Sequence, residues 1–312
     1  MSMIESLSVV ISVSERGELF PEVLDGYYKS ISKLDLDFEI IVLLTPEFES
    51  LTEPLISRNE EVGCIKIILL NRNYGEAGLL KIGIDNAKYN HILTLPPYEQ
   101  VSPEAIGEIL SALNDSDAVV VNRSPRFDHR VNRIQSYVFK LLLKMLAYNV
   151  PKDPGCGIRL SKKVVFEEIK LYGDLHRFFF MLASQLGFKV VQLDIPQSKA
   201  DTHRRTYSFR TYLSRLLDIL TVGFLTRFHQ KPLRFFGTGG VMSTFIGLLG
   251  LGYIGFERVF FDVAVSNRPL LVLFSLFLVL GVQLIAIGLV GETIIFTSSK
   301  DNKEYRIRKI IN

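Results

Sequence analysis

Over its first two hundred positions the chain alternates short apolar runs with helical stripes, and after position 234 it carries two long apolar stretches. Leu7-Ser8-Val9-Val10-Ile11-Ser12-Val13 reads as a buried first strand, followed by a helix over about Leu19 to Leu34. Phe38 to Leu44 reads as a second strand and Ile65 to Leu70 as a third, with a helical stretch containing Pro54 between them. Asn73 or Gly75 opens a helix to Ala87, His91 to Leu95 is a fourth strand, and Pro103 sits in the first turn of a helix to Ala112. Ala118 to Val121 is a fifth strand. Ile134, Val138, Leu141, Leu142 and Met145 recur at helical spacing and predict an amphipathic helix over about Val131 to Ala147. Strands alternating with helices predict an α/β fold: a mainly parallel sheet covered on both faces. Such sheets bind ligands beyond the carboxyl ends of their strands, so the loops after Val13, Leu44 and Leu95 are expected to line a site.

The pattern then changes. Leu213, Leu216, Leu217, Leu220, Phe224 and Phe228 form an apolar stripe with Arg210, Arg215, Arg227 and His229 around it. That suits a helix lying in a headgroup layer. Two stretches follow, about Phe235 to Phe256 and Leu270 to Phe296. Each is long enough to cross a hydrocarbon core of roughly 30 Å, which takes about 20 helical residues. The expected organisation is a cytosolic domain over 1–205, an interfacial helix over 206–232, a two-helix transmembrane anchor over 233–298 and a basic tail over 299–312. Glycines 247, 250, 252 and 255 predict close helix contact in the first span. Gln283 and Glu292 interrupt the second, and are expected to face a partner helix or the interface.

Net charge is +3, with a pI of about 8.7, too modest to argue for nucleic acid. Local charge matters more. Arg227, Lys231 and Arg234 precede the first span, Lys300, Lys303, Arg306, Arg308 and Lys309 follow the second, and the charges between the spans cancel. This asymmetry predicts an integral membrane protein with both termini cytoplasmic. Leu7 to Val13 is too short for a secretory signal. Cys64 and Cys156 are expected to stay reduced. Zinc-ligand spacing, a Walker loop and a GxSxG elbow are absent from the sequence.

Six segments carry a family resemblance over nearly the whole chain: Phe38-Glu39-Ile40-Ile41-Val42; Arg72-Asn73-Tyr74-Gly75 with Gly83-Ile84-Asp85-Asn86-Ala87; Gln100-Val101-Ser102-Pro103-Glu104; Asp153-Pro154-Gly155-Cys156-Gly157-Ile158-Arg159-Leu160; Thr206-Tyr207-Ser208-Phe209-Arg210; and the run from Gly281 to Glu292. In this order they resemble the family-2 glycosyltransferases that load a sugar onto polyprenyl phosphate, the group of dolichyl-phosphate mannose synthase and its bacterial two-helix relatives. The resemblance implies a GT-A fold, a bacterial or archaeal inner membrane, a nucleotide sugar as donor and polyprenyl phosphate as acceptor. It also implies a Mg²⁺ or Mn²⁺ ion on an Asp-x-Asp pair that neutralises the leaving diphosphate.

The chain departs from that pattern at the donor side. Its fourth strand runs into Pro96-Pro97-Tyr98 where the resemblance places Asp-x-Asp, and its second into Leu44-Thr45-Pro46 where it places aspartates. Proline and tyrosine offer a divalent cation no anionic oxygen, so no metal or other cofactor is expected at this loop, and Glu99 alone is a poor replacement. By resemblance, Arg72, Asn73, Gln100, Arg130, Arg133 and Arg159 stand as substrate-binding candidates; Arg204, Arg205 and Arg210 belong to a basic cluster just before the interfacial helix whose charge is expected to attract anionic headgroups. Asp153 stands either as a catalytic carboxylate or as the cap of a turn before Pro154. The arginines either face phosphate or are solvated or paired with Asp128 and Glu168. His91 and His176 lack ligand spacing and are expected to be packing or surface residues. Two functions stay open: a divergent transferase working without the cation, or a catalytically silent relative acting as a lipid-binding or regulatory subunit. Association with itself or with another membrane glycosylation protein is expected through the anchor.

Overall fold

In the computed structural model, residues 4–126, 141, 151–169, 173–201, 217, 221, 232–262, 264 and 269–298 are described. The amphipathic helix expected over 131–147 and nearly all of the interfacial helix lie outside them. The chain divides into two compact units, Met1–Val222 and Gly223–Asn312.

Seven strands build the first unit. β1 (Ser6–Val13), β2 (Asp37–Leu44), β3 (Ile65–Leu69), β4 (His91–Leu95), β5 (Ala118–Arg123), β6 (Arg159–Lys162) and β7 (Val190–Ile195) lie in the order β3-β2-β1-β4-β6-β5-β7. β6 runs antiparallel to both β4 and β5, and the other pairings are parallel. The interior of β1 and the second half of β2 are apolar and buried on both faces, as strands between two helical layers must be. Ser8 survives there because its hydroxyl donates to Glu39 Oε1 at 2.6 Å and accepts the Tyr89 N–H at 3.0 Å.

One face packs α1 (Phe20–Ile31) and α4 (Ile106–Leu113) over Val9, Ile11, Leu93, Leu160 and Val119. On the other, α3 (Gly75–Asp85), α5 (Lys163–Glu168) and α6 (Phe179–Gln185) cover Val10, Ile41, Ile92 and Val120. α2 (Thr52–Val62) follows a 3₁₀ turn over Pro46–Leu51 and ends on Gly63, whose φ of 69° closes the helix in the left-handed region. Gly83 allows α3 to approach the sheet: a Cβ there would lie 2.4 Å from Val10 Cγ1. The five expected strands are present within a residue or two. β6 and β7 were not expected. β6 is four residues long with one large apolar side chain, Leu160, too short to show a period.

The second unit is a hairpin of α7 (Pro232–Phe261) and α8 (Pro269–Ser298), both long and apolar enough to cross a membrane. Their outward side chains, among them Val241, Met242, Phe245, Leu273 and Leu276, are exposed, a surface suited to lipid rather than water. Between them glycines bring backbone against backbone. A Cβ on Gly247 would lie 2.7 Å from Leu278 N, and one on Gly281 would lie 2.5 Å from Thr244 N. Ser243 donates across the seam to Phe277 O at 2.7 Å. Of the four glycines expected at this contact, Gly247 and Gly250 are there, whereas nothing lies within 4 Å of a Cβ at Gly252 or Gly255. One helical face cannot hold all four, and Gly240, Gly281, Gly288 and Gly291 extend the seam instead. Glu292 Oε2 accepts the Leu233 N–H at 3.3 Å, placing a carboxylate at the first turn of α7.

Candidate functional site

At the carboxyl end of β4 the chain leaves the sheet through Pro96 and Pro97, both buried. The two prolines bring no backbone N–H to a segment already enclosed. Tyr27, reaching over from α1, holds the segment in place: its hydroxyl lies 3.3 Å from Pro96 O and 3.2 Å from Tyr98 O, which share its proton. Removing that hydroxyl in Tyr27→Phe is expected to cost about 1 kcal/mol, read as a lower melting temperature with the fold retained.

Tyr98 is held from both sides. Gln100 Nε2 donates to its hydroxyl at 2.7 Å, while Gln100 Oε1 accepts the Gly157 N–H at 2.9 Å. The Arg16 guanidinium lies 4.1 Å from the centre of the Tyr98 ring. Burial pushes the phenol above its ordinary pKa despite Arg16 and Gln100, so at neutral pH it is a neutral hydroxyl. Arg16 adopts φ 55°, an uncommon conformation for a non-glycine residue, on the loop after β1.

From Arg16 an ion-pair chain runs through Asp201 and Arg123 to Asp153. Arg16 Nη1 lies 3.5 Å from Asp201, and Arg123 Nη1 lies 3.4 Å from the same carboxylate. Gln197 Nε2 donates to Asp201 at 2.9 Å. Arg123 then grips Asp153 through Nε at 2.7 Å and Nη2 at 3.2 Å, and Arg126 Nη1 adds a contact at 3.1 Å. Asp153 also accepts the Gly155 N–H, the turn-capping contact, at 3.2 Å. Burial would push the Asp153 carboxyl up, but the bonds and charge of Arg123, with Arg126, outweigh it and hold the carboxyl below the usual range.

The loops after β1 and β2 close on each other. Thr45, fully buried, donates to Val13 O at 3.3 Å, and Leu44 is equally buried. The Phe48 ring lies against Gly17 so closely that a Cβ there would sit 2.4 Å from it. Glu99 accepts the Ser198 hydroxyl at 2.5 Å and is not directed at a cation by that contact.

The remaining candidates are dispersed. Arg72 and Asn73 are exposed just before α3, Arg72 stacked on Tyr74 at 4.6 Å and Asn73 Oδ1 accepting the Gly75 N–H at 2.9 Å. Arg159, paired in register with Thr94, is 3 % exposed and donates to Cys156 O at 3.3 Å, so the solvated reading fails for it. His176, also expected as packing or surface, is buried and bonded to Glu76 at 2.9 Å. Arg130, Arg133, Arg204, Arg205 and Arg210 lie outside the described residues. Arg16, Arg123, Arg126 and Asp201 were not singled out in the sequence, where each is one charge among many. Their only signal is position: Arg123 ends β5, and Arg16, Arg126 and Asp201 follow β1, β5 and β7.

A divalent cation does not fit the residues at this loop. The phenol is neutral, two neighbours are prolines, and a guanidinium already lies over the ring. Among the described residues no three His, Cys, Asp or Glu side chains converge as ligands.

Comparison with known proteins gives a consistent relationship. Residues 8–169 match the family described as Glycosyl transferase family 2. The dodecaprenyl-phosphate galacturonate synthase of Rhizobium johnstonii is 27% identical over 272 residues, covering 83% of this chain and 80% of that protein. The undecaprenyl-phosphate 4-deoxy-4-formamido-L-arabinose transferase of Photorhabdus laumondii is 26% identical over 313 residues, covering 99% and 95%. Among solved structures, mannosyl-3-phosphoglycerate synthase from Rubrobacter xylanophilus superposes with a TM-score of 0.54 at 14% identity, over 70% of this chain and 74% of that one. Glucosyl-3-phosphoglycerate synthase from Mycobacterium tuberculosis gives 0.52 at 11%, over 71% and 80%. These two likenesses establish the GT-A fold alone.

Proposed function

The chain belongs to glycosyl transferase family 2, and on that premise we propose that it is a membrane-anchored relative of the polyprenyl-phosphate sugar transferases that does not perform cation-bridged transfer. The observation that carries this reading is the Arg16 guanidinium, stacked on Tyr98 and ion-paired to Asp201 beside the loop where a metal-binding carboxylate pair is expected. A fixed positive charge there repels Mg²⁺ or Mn²⁺, and the loop returns no anionic oxygen to offset the repulsion. Phe48 against Gly17 and Thr45 against Val13 narrow the neighbouring ground where a nucleoside would lie. The retained role is then that of a silent subunit, its lipid side kept and its donor side filled. In this reading the soluble domain and both termini are cytoplasmic, as the basic residues flanking the two spans favour.

One observation favours a second reading. Arg16, Arg123 and Arg126 converge through Asp201 and Asp153, and the three guanidinium groups exceed these two carboxylates by one positive charge, which favours a leaving diphosphate without a metal. The two readings part on one measurement. Calorimetric titration of the full-length protein in detergent with UDP- and GDP-sugars, with and without Mn²⁺, is expected to show less than a twofold effect of the cation. Tight binding that EDTA leaves unchanged, with sugar transfer to a short polyprenyl phosphate, would select the metal-free enzyme. Binding that requires Mn²⁺ would overturn both.

A constructive check follows. Pro96→Asp with Tyr98→Asp restores two carboxylates, yet Arg16 stands beside them and is expected to pair with them. Weak Mn²⁺ binding, at tens to hundreds of micromolar, is expected only when Arg16→Ala is added, a gain of about 1–3 kcal/mol. Equal Mn²⁺ affinity in the double and triple variants would show that Arg16 does not guard the loop.

A further inference from the structure

Gln283 stands midway along α8, about 20 Å from either end of the helix. Two residues past Gly281, it lies about 200° round the helix from the glycine that meets α7. Its side chain is exposed, and among the described residues it makes no hydrogen bond. Of the two positions expected to face a partner helix or the interface, Glu292 therefore turns to α7 and Gln283 turns away from it. A primary amide carries two N–H donors and a carbonyl acceptor. The hydrocarbon core offers it neither, and from mid-depth the side chain does not reach the headgroups.

The hairpin itself does not supply the partner. Ser243 donates to Phe277 O, Ser275 to Leu271 O and Thr293 to Leu289 O. Thr244 stands against Gly281, on the opposite side of α8 from Gln283. The amide therefore turns to another membrane helix, and the face around it has the form of a packing seam. Val272, Leu276, Val279, Gln283, Ala286 and Val290 follow one another at alternating spacings of four and three, and all are exposed. That spacing keeps them on one stripe about 27 Å long, most of a hydrocarbon core of roughly 30 Å. A helix this apolar offers such a stripe on every face; Gln283 is what marks this one. Ala286, small and one turn further on, lets a second helix come close.

We propose that the chain associates with a second copy of itself along this stripe, the two Gln283 amides exchanging hydrogen bonds across a two-fold axis normal to the membrane. The inference rests on the membrane reading of the hairpin and on nothing at the donor loop. Two copies share one topology, so their Gln283 side chains arrive at the same depth. The amide is its own complement: the NH₂ of each meets the carbonyl of the other. Formal charge does not oppose the contact. Glu292, the one formally charged side chain of α8, lies about 180° round the helix from Gln283 and accepts the Leu233 N–H. A different membrane protein would need a polar group of its own at this depth, whereas a copy brings one by symmetry.

The test uses the full-length protein reconstituted alone in phosphatidylcholine vesicles, with Cys64→Ser and Cys156→Ala in the background. Ala286→Cys places a thiol on the stripe, and Leu289→Cys places one at similar depth about 120° round the helix from Gln283. On oxidation with copper phenanthroline, Ala286→Cys is expected to give at least fivefold more covalent dimer than Leu289→Cys. Adding Gln283→Leu, which keeps the bulk and removes the amide, is expected to lower that yield at least threefold. Gln283→Asn is expected to recover part of it. Sedimentation of the cysteine-free protein in detergent is expected to show a dimer that Gln283→Leu shifts to monomer. If Gln283→Leu does not fold, Ala286→Phe crowds the stripe with the amide intact and is expected to give the same shift. The inference is overturned if the two thiols cross-link equally, or if Gln283→Leu dimerises as tightly as the wild type. A wild type that stays monomeric when alone in vesicles also overturns it, and assigns the face to a different membrane protein. None of these outcomes bears on the donor loop, which the nucleotide-sugar titration decides separately.

Discussion

Asp153→Ala is expected to destabilise the first unit by about 3–5 kcal/mol, because removing one partner from a buried ion pair strands the other. Asp153 and Arg123 are 2% and 9% exposed, and Arg126 grips the same carboxylate. The clamp joins the end of β5 to the segment before β6, 30 residues apart in sequence. Thermal unfolding of the full-length protein reads the loss directly. Adding Arg123→Met is expected to restore part of it, since an apolar pair of similar volume removes the stranded charge.

The acid limb gives an independent check. The folded-state pKa of Asp153 is depressed, so its contribution is fully present above the unfolded value of about 3.9 and disappears as pH falls through the folded value. The wild type should therefore lose stability below about pH 4 more steeply than Asp153→Ala. A loss under about 1 kcal/mol, with parallel acid limbs, would mean that the clamp is a solvated surface pair.

The second large effect is expected in the anchor. Gly281→Val places a Cβ 2.2 Å from Thr244 Oγ1, 2.5 Å from Thr244 N and 2.7 Å from Gly240 O. The hydroxyl can rotate away, but the two backbone atoms belong to the facing helix. α7 and α8 must separate, which costs about 1–3 kcal/mol or more in overpacking and also forfeits the bond from Ser243 to Phe277 O. Gly252→Val, with open space around it, is the matched control.

With Cys64→Ser and Cys156→Ala in the background, an oxidatively closed pair at Ser243→Cys and Phe277→Cys reports the seam in membranes. Its yield should fall several-fold with Gly281→Val and hold with Gly252→Val. Equal yields in the two would refute the glycine seam.

Much of this molecule is legible in order along the chain. β1, β2 and β4 are mainly apolar runs because strands between two helical layers bury both faces, and a polar side chain such as Ser8 is admitted only with its hydrogen bonds made. The spans are legible because a helix in lipid must be apolar over its length. The spacing from β4 through Gln100 to Pro103 keeps the register of the Pro96-Pro97-Tyr98 loop readable.

β6 and the partners of the charged residues are not legible in that way. β6 holds its place through ladders to β4 and β5 rather than through its own pattern. Asp153 has two sequence readings, and the turn bond to Gly155 satisfies one of them; the two arginines that dominate its chemistry come from the end of β5 and the loop beyond. His176 lacks a ligand at any helical or strand spacing, since Glu76 lies a hundred residues earlier.

The sequence alone determined the layers, the two membrane-length helices, the family resemblance and the run Pro96-Pro97-Tyr98 after the fourth strand. Each of these is recorded by residue type at short spacing, where burial and chain geometry act locally. Only the tertiary structure decided that Arg16 stacks on Tyr98, that Arg123 and Arg126 hold Asp153, and that Arg159 is buried against Cys156 O. Charge pairs form between strand ends that are neighbours in the sheet and strangers along the chain, so their chemistry exists only once the sheet has closed its order.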